Sequence, residues 1–380
     1  MKAIINKVLT TCLMLALLTG ISACTIITGE YDSPAAGEDS TPLALMLNAV
    51  PNAGTTTLLY NDIPALSGYH DREVPPRTAS TEEKMEWWAS FQDAILWGYP
   101  APFVTELWGF DAVDVSGILT FWSDSLVTIL SGDLDTTAFR RKLLSYGYEE
   151  DTYLGSPVFS GTPESNENFS VGILPHAFGI INGVRTGAEF VSFILMSESG
   201  DEDIEIARKS IEASIAAYRQ KSSLANESNP LTTLADVVGE VGAAYITTDT
   251  RFTFIIEQSS KDRIEQIRES IGPGELSPYN ALAMTYHWED DSIILEFILA
   301  YETPAAARAN IQVLRERLSK GRSFLFYDAP LSEIWTIEDV TNRDSLLLAT
   351  VRLLRTTRSH DYFFVDMFYA LDYWFLYPNQ

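Results

Sequence analysis

The chain has 380 residues, with 26 Lys plus Arg against 52 Asp plus Glu, for a formal charge of −26. That charge repels phosphate backbones and anionic head groups, which argues against a nucleic-acid role. Hydrophobic residues make up 46% of the chain and aromatic residues 12%, which excludes global disorder, and the length exceeds one ordinary domain, so two domains are expected.

The chain opens with Lys2 and Lys7, then an apolar run from Val8 to Leu18. The run is shorter than the roughly 20 residues a membrane-spanning helix needs, and it suits the core of an export signal. Gly20-Ile21-Ser22-Ala23 then leads into Cys24 with small residues. The stretch Ile21-Ser22-Ala23-Cys24 resembles the lipobox of bacterial lipoproteins. By that resemblance residues 1–23 are a signal peptide, and Cys24 becomes a lipidated, palmitate-bearing N-terminus. Ordinary cleavage after Ala23, which would release a secreted protein, is the competing outcome. Cys12 and Cys24 are the only cysteines, so the mature chain is expected to have no disulfide and no cysteine metal site.

Residues 24–42 are rich in Gly, Ser, Pro and acid, and read as a flexible tether. A first α+β domain is expected over 43–250 and a second over 251–380. Within the first, residues 55–60 read as a strand and 64–80 as a loop with Pro75-Pro76 as a breaker. A helix from Thr81 carries Trp88, Phe91 and Ile95 on one stripe. Ile118–Trp122 and Leu126–Leu130 form a hairpin, followed by a helix from Thr136 with Phe139, Leu143 and Tyr146 facing a core. Strands follow over 153–159 and 171–181. A helix has Ile204, Ala207, Ile211, Ile215 and Tyr218 on one stripe and the pair Glu205–Lys209 outside. A short helix over 231–238 and a strand over 243–247 complete this half.

The second half is expected to hold a strand over 252–257, a helix over 261–271 closed by Gly272, and a hairpin of 281–288 with 292–301. A helix follows, capped by Thr303-Pro304, with strands over 324–327, 334–337 and 346–353. Both halves read strand, helix, hairpin, helix, strand pair. Trp122 and Trp288 close the first hairpin strands, Ser125 and Ser292 start their partners, and Thr136 and Thr303 each open a helix eleven residues after that serine. Two explanations stand: a divergent internal duplication, or two α+β domains that converge on one pattern. The expected class is therefore α+β, two antiparallel sheets with helices packed on one face.

Two aromatic stretches offer a ligand or partner surface: Trp97 and Trp108 in the first, Phe368 and Trp374 in a terminal helix with Phe364, Leu371 and Phe375. Rings beside glycine can make a platform, although rings on a helical stripe ordinarily fill a core. Protein partnership or self-association is the use expected of the terminal helix if it is not docked on its own domain. The acidic clusters Glu149-Glu150-Asp151 and Glu289-Asp290-Asp291 read as solvated turns. The histidines, at 70, 176, 287 and 360, have no zinc-site spacing, and no catalytic or phosphate-loop motif is present. No cofactor, metal or nucleic acid is expected, and no catalytic residue.

The expected protein is a non-catalytic lipoprotein with a binding or structural role, held to a cell membrane or outer membrane through Cys24 and facing the extracytoplasmic side. Thr25 follows the cysteine where Asp would signal inner-membrane retention. The alternatives are the solute-binding lipoprotein of a transporter and a cell-envelope hydrolase. The first would show parallel-sheet lobes, the second convergent catalytic groups in one pocket.

Overall fold

A computed structural model describes residues 21–26, 41–70, 72–96, 109–123, 126–161, 177–182, 189–196, 201–226, 229–239, 241–250, 265, 269–289, 292–323, 325, 328–354, 363–369 and 372–378. The expected strand over 252–257 and most of the expected helix over 261–271 lie outside these residues. The chain is an α+β protein divided into two compact units. The first unit is Met1–Gln92 with Trp97–Thr232, and the second is Asp93–Leu96 with Thr233–Gln380.

The first unit begins with β1 (Ile21–Ile26), α1 (Pro42–Met46), β2 (Thr57–Asp62) and α2 (Ile63–Tyr69). Helix α2 occupies part of the segment that reads as a loop. The Asp62 side chain accepts from the Ala65 N–H, and Pro64 sits in the first turn, where its missing N–H costs nothing. Helix α3 (Thr81–Ala89) starts where Ser80 and Glu83 form a reciprocal capping box. It ends at Ser90, so Phe91 and Ile95 lie beyond it, both buried.

Next come the hairpin β3 (Val115–Trp122) and β4 (Leu126–Gly132), then α4 (Thr136–Ser145), capped by Asp135. Four strands follow: β5 (Glu149–Tyr153), β6 (Ser156–Ser160), β7 (Ala177–Asn182) and β8 (Glu189–Met196). Helix α5 (Asp201–Gln220) then buries Ala207, Ile211, Ile215 and Tyr218, as its apolar spacing predicts, with Glu205–Lys209 paired outside. Helix α6 (Pro230–Val237) spans the boundary between the units. The first unit's strands lie in the order β2-β3-β4-β8-β1-β7-β6-β5.

The faces of this sheet follow from register. Ile181 is opposite Phe190, and Phe178 lies three residues from Ile181, so Phe178 and Phe190 point to opposite faces. Phe139 of α4 packs on Phe178 at 5.6 Å between ring centroids, and Tyr218 of α5 meets Phe190 at 6.3 Å. Helices α4 and α5 therefore cover opposite faces.

The second unit contains β9 (Ala243–Thr247), β10 (Ala281–Glu289), β11 (Ser292–Ala300), α7 (Pro304–Ala309), α8 (Ile311–Lys320), β12 (Arg322–Ser323), β13 (Ala329–Pro330), β14 (Trp335–Arg343), β15 (Leu346–Leu353) and α9 (Phe363–Tyr369). Its main sheet runs β14-β15-β11-β10-β9. Because β9 pairs with β10, it belongs with this sheet, and the unit boundary falls between Thr232 and Thr233. The helix expected after Thr303 is broken into α7 and α8 at Asn310. The buried Asn310 amide donates to the Ala306 carbonyl and accepts from the Ser277 N–H. Gly272, at φ +91°, takes the left-handed conformation that its place after a helix suggests.

In this unit Met284 is opposite both Phe297 and Tyr245, and Tyr286 shares their face. Phe364 and Phe368 of α9 pack on Tyr286 and Tyr245, each at 5.1 Å. The Trp335 indole reaches back to donate to the Leu318 carbonyl of α8 at 3.0 Å and lies 6.0 Å from Phe297. Helices α8 and α9 thus share one face.

Candidate functional site

The lipobox residues fall in β1, whose backbone lies between β7 and β8. Ile21 is opposite Met196, and Ile26 is opposite both Val191 and Ile180, with register shifts between. Strands β7 and β8 also pair directly, from Gly179↔Ser192 to Asn182↔Glu189, so that hairpin does not depend on β1.

Trp97 and Trp108 lie outside the described residues. The rings just before them are core: Trp87, Trp88 and Phe91 are buried, with centroids 5.1–5.9 Å apart. The Trp87 indole N–H donates to Ser67 Oγ at 2.6 Å.

The terminal aromatic segment is not one helix. It is α9 followed by a 3-10 turn at Trp374–Leu376, and both ends of the expected surface are packed inside the second unit. Phe368 is 9% exposed and faces Tyr245, and Trp374 is 4% exposed and lies 6.3 Å from Tyr377. Phe375 meets Phe297 at 5.1 Å and Trp335 at 5.5 Å. The apolar rings of this segment therefore complete the sheet's core.

Polar groups fasten the same segment. Arg317, fully buried in α8, donates from Nη1 to the carbonyls of Phe375 (3.2 Å) and Tyr377 (2.6 Å), and from Nη2 to that of Gly274 (2.9 Å). Burial lowers its pKa to about 10, which leaves it charged at neutral pH. Tyr279 Oη donates to the Leu376 carbonyl at 2.7 Å. The buried Asp372 carboxylate accepts from Ser323 Oγ and from the Leu325 N–H (3.0 Å). Arg317 and Asp372 are the residues that the sequence reading missed. The available signal was an arginine between Leu314 and Leu318 on the apolar stripe of a helix.

Glu149, Glu150 and Asp151 form most of β5 rather than a turn, and two of them are ion-paired. Arg140 holds Glu150 at 2.8 Å, and Arg208 holds both Asp151 and Glu212. Glu289 ends β10, where Arg352 binds it at 2.5 Å while also binding Glu338. Arg77 likewise bridges Asp114 (2.6 Å) and Asp133 (2.5 Å). Three arginines of an acidic protein thus each hold two carboxylates. Burial pushes the Asp114 carboxyl up, against the downward pull of Arg77.

His287 is partly buried on β10 and His70 ends α2; His176 and His360 lie outside the described residues. Among the described residues no group of three or more His, Cys, Asp or Glu could hold a metal ion. Among them, too, no helix is long and apolar enough to cross a membrane.

No family model and no curated sequence matches the chain. Crystal structures of TP0453 are similar at low level. Form I is 10% identical and covers 88% of this chain and 100% of its own, at a TM-score of 0.36. Form IV is 12% identical and covers 80% and 91%, at the same TM-score. A likeness that loose carries no argument about function.

Proposed function

We propose that this chain is a lipid-anchored extracytoplasmic protein whose globular part has a non-catalytic binding or structural role. The observation that carries the reading is Ile21-Ser22-Ala23-Cys24 behind a basic start and a short apolar run. Cys24 is the lipidation site; cleavage before it takes residues 21–23 out of β1, whose neighbours β7 and β8 also pair with each other. The tether expected over 24–42 then sets the body off from a cell membrane or outer membrane. The buried polar groups of the second unit support the non-catalytic part, because Arg317, Tyr279 and Asp372 all tie chain segments together. The antiparallel pairing of β9, β10, β11, β15 and β14 weighs against a transporter's solute binder, whose lobes are built on parallel sheets.

The test is growth with labelled palmitate, followed by fractionation. The wild-type protein takes up label and sediments with membranes. Cys24→Ser loses the label and leaves the membrane fraction. Label retained in Cys24→Ser overturns the anchor assignment. Crosslinking in cells with the anchored protein then identifies what the body binds.

A further inference from the structure

Residues 72–80 run between α2 and α3 outside any helix or strand, and most of them are exposed. Pro75 and Pro76 have no N–H to donate. The strap's backbone is joined to the fold at its start, where the Arg72 N–H donates to the Ser67 carbonyl (3.0 Å) and Ser67 Oγ donates to the Arg72 carbonyl (2.5 Å). Further along, the attachments are ionic. Arg77 Nε meets Asp114, Arg77 Nη2 meets both the carboxylate and the carbonyl of Asp133 (2.8 Å), and Lys84 Nζ donates to the Arg77 carbonyl (2.6 Å) while pairing with Asp111.

The receptor for Arg77 is set in advance by the hairpin root. The Asp133 N–H donates to the Asp114 carbonyl at 2.9 Å, which puts the two aspartates side by side. Only glycine fits at 132, since a Cβ there would lie 1.8 Å from the Asp114 oxygen. The Arg77 side chain is 57% exposed and that of Asp133 90%, so bulk salt screens this pair, while Asp114, at 8%, holds the guanidinium from a position salt reaches less. A preset acceptor pair, one exposed cation and a strap with little backbone bonding make a fastening that opens without loss of the sheet.

We infer that residues 72–80 are an ionic latch, with Arg77 as the catch, that releases as salt rises. Its start shares the Ser67 hydroxyl with the Trp87 indole, so release loosens the lodging of that ring in α3.

Hydrogen exchange of the full-length protein tests this, read on the Arg72 and Ala79 amides, which donate to the Ser67 and Pro76 carbonyls, with the β10–β11 hairpin as internal reference. Between about 0.01 M and about 1 M NaCl the screening length falls from about 30 Å to about 3 Å. Exchange of the strap relative to the reference should rise about five-fold, the scale of a lost exposed pair or two. Arg77→Gln should exchange fast at both salt levels, and Asp133→Asn, which keeps the Asp114 contact, should fall between. A wild-type strap indifferent to salt overturns the latch, as does Arg77→Gln exchanging as slowly as wild type. If Arg77→Gln fails to fold, Asp133→Asn decides, and wild-type behaviour there overturns it too.

Discussion

The two units follow one path through their sheets and then diverge. After β1, which has no counterpart among the described residues of the second unit, each runs from a strand paired to the first member of a hairpin, β2 on β3 and β9 on β10. Each continues through a hairpin and a capped helix into a meander whose last strand returns to the hairpin's second member, β8 on β4 and β15 on β11. Trp122 and Trp288, near the ends of β3 and β10, lie on the same face as the helix that follows. The first meander has four strands, β5 to β8, and the second has two, β14 and β15. The helix after the meander packs on the opposite face from its predecessor in the first unit, and on the same face in the second. One hairpin more or less thus accompanies a change in which side of the sheet the closing helix covers. The shared path supports the duplication reading, and the divergence lies where an insertion would be tolerated, after the common core.

If the cores of the two sheets are equivalent, the rings that fill them should matter alike. Phe139→Ala removes the ring between Phe110 and Phe178, and Phe375→Ala removes the ring between Phe297 and Trp335. Each should cost about 3–5 kcal/mol in urea unfolding. A loss from one far below the other would break the equivalence.

Alkali should separate the units. Burial raises the pKa of Tyr245 to about 12, and raises those of Tyr279, Tyr301 and Tyr373, all in the second unit; the first unit has Tyr60. A folded pKa above the unfolded value of 10.0 gives stability that is complete below pH 10 and is lost as pH rises through the folded value. For Tyr245 the loss approaches about 3 kcal/mol by pH 12. Arg317, lowered to about 10, works in the opposite sense, and four tyrosines outweigh it. Circular dichroism with near-ultraviolet tyrosinate absorbance should show Tyr301→Phe shifting the alkaline midpoint upward. The Tyr301 hydroxyl has no hydrogen-bond partner among the described residues, so its removal costs little. Tyr60→Phe should leave that midpoint in place, and a midpoint that follows Tyr60 instead would contradict the assignment to the second unit.

The smallest contrast concerns helix starts. Asp135→Ala and Thr303→Ala each remove a side chain that accepts from the helix's third N–H, and each should cost about 1 kcal/mol in thermal unfolding. Unequal costs would show that one cap is supplemented by its surroundings.

Elements with a strong period or a hairpin pattern were legible in the sequence: α5, α4, and the β3–β4 and β10–β11 pairs stand close to where residue spacing places them. Helix α2 was hidden because its segment opens on Pro64 and runs on to the breaker Pro75-Pro76, although in a first turn proline is compatible with a helix. Strand β5 was hidden by three successive acids, which two neighbouring arginines make tolerable at the end of a sheet. Strand β8 is too uniformly apolar to show an alternation of two. The candidate surface was less legible. Phe368 and Trp374 have the composition of a contact face, and only the tertiary fold shows them turned inward. Arg317 escaped because a charge on an apolar stripe signals a helix's outer edge unless three carbonyls converge on it.

Arg317 also sets an order of events. It lies in α8, yet two of its carbonyl partners belong to Phe375 and Tyr377, which leave the ribosome 58 and 60 residues later. Until they arrive, the guanidinium has no reason to leave water, and the face of the second sheet has no Phe375 to close it. Completion of this unit therefore waits until Phe375 and Tyr377 have been synthesised. Under the export proposed above, such a delay would keep the polypeptide threadable until it has crossed.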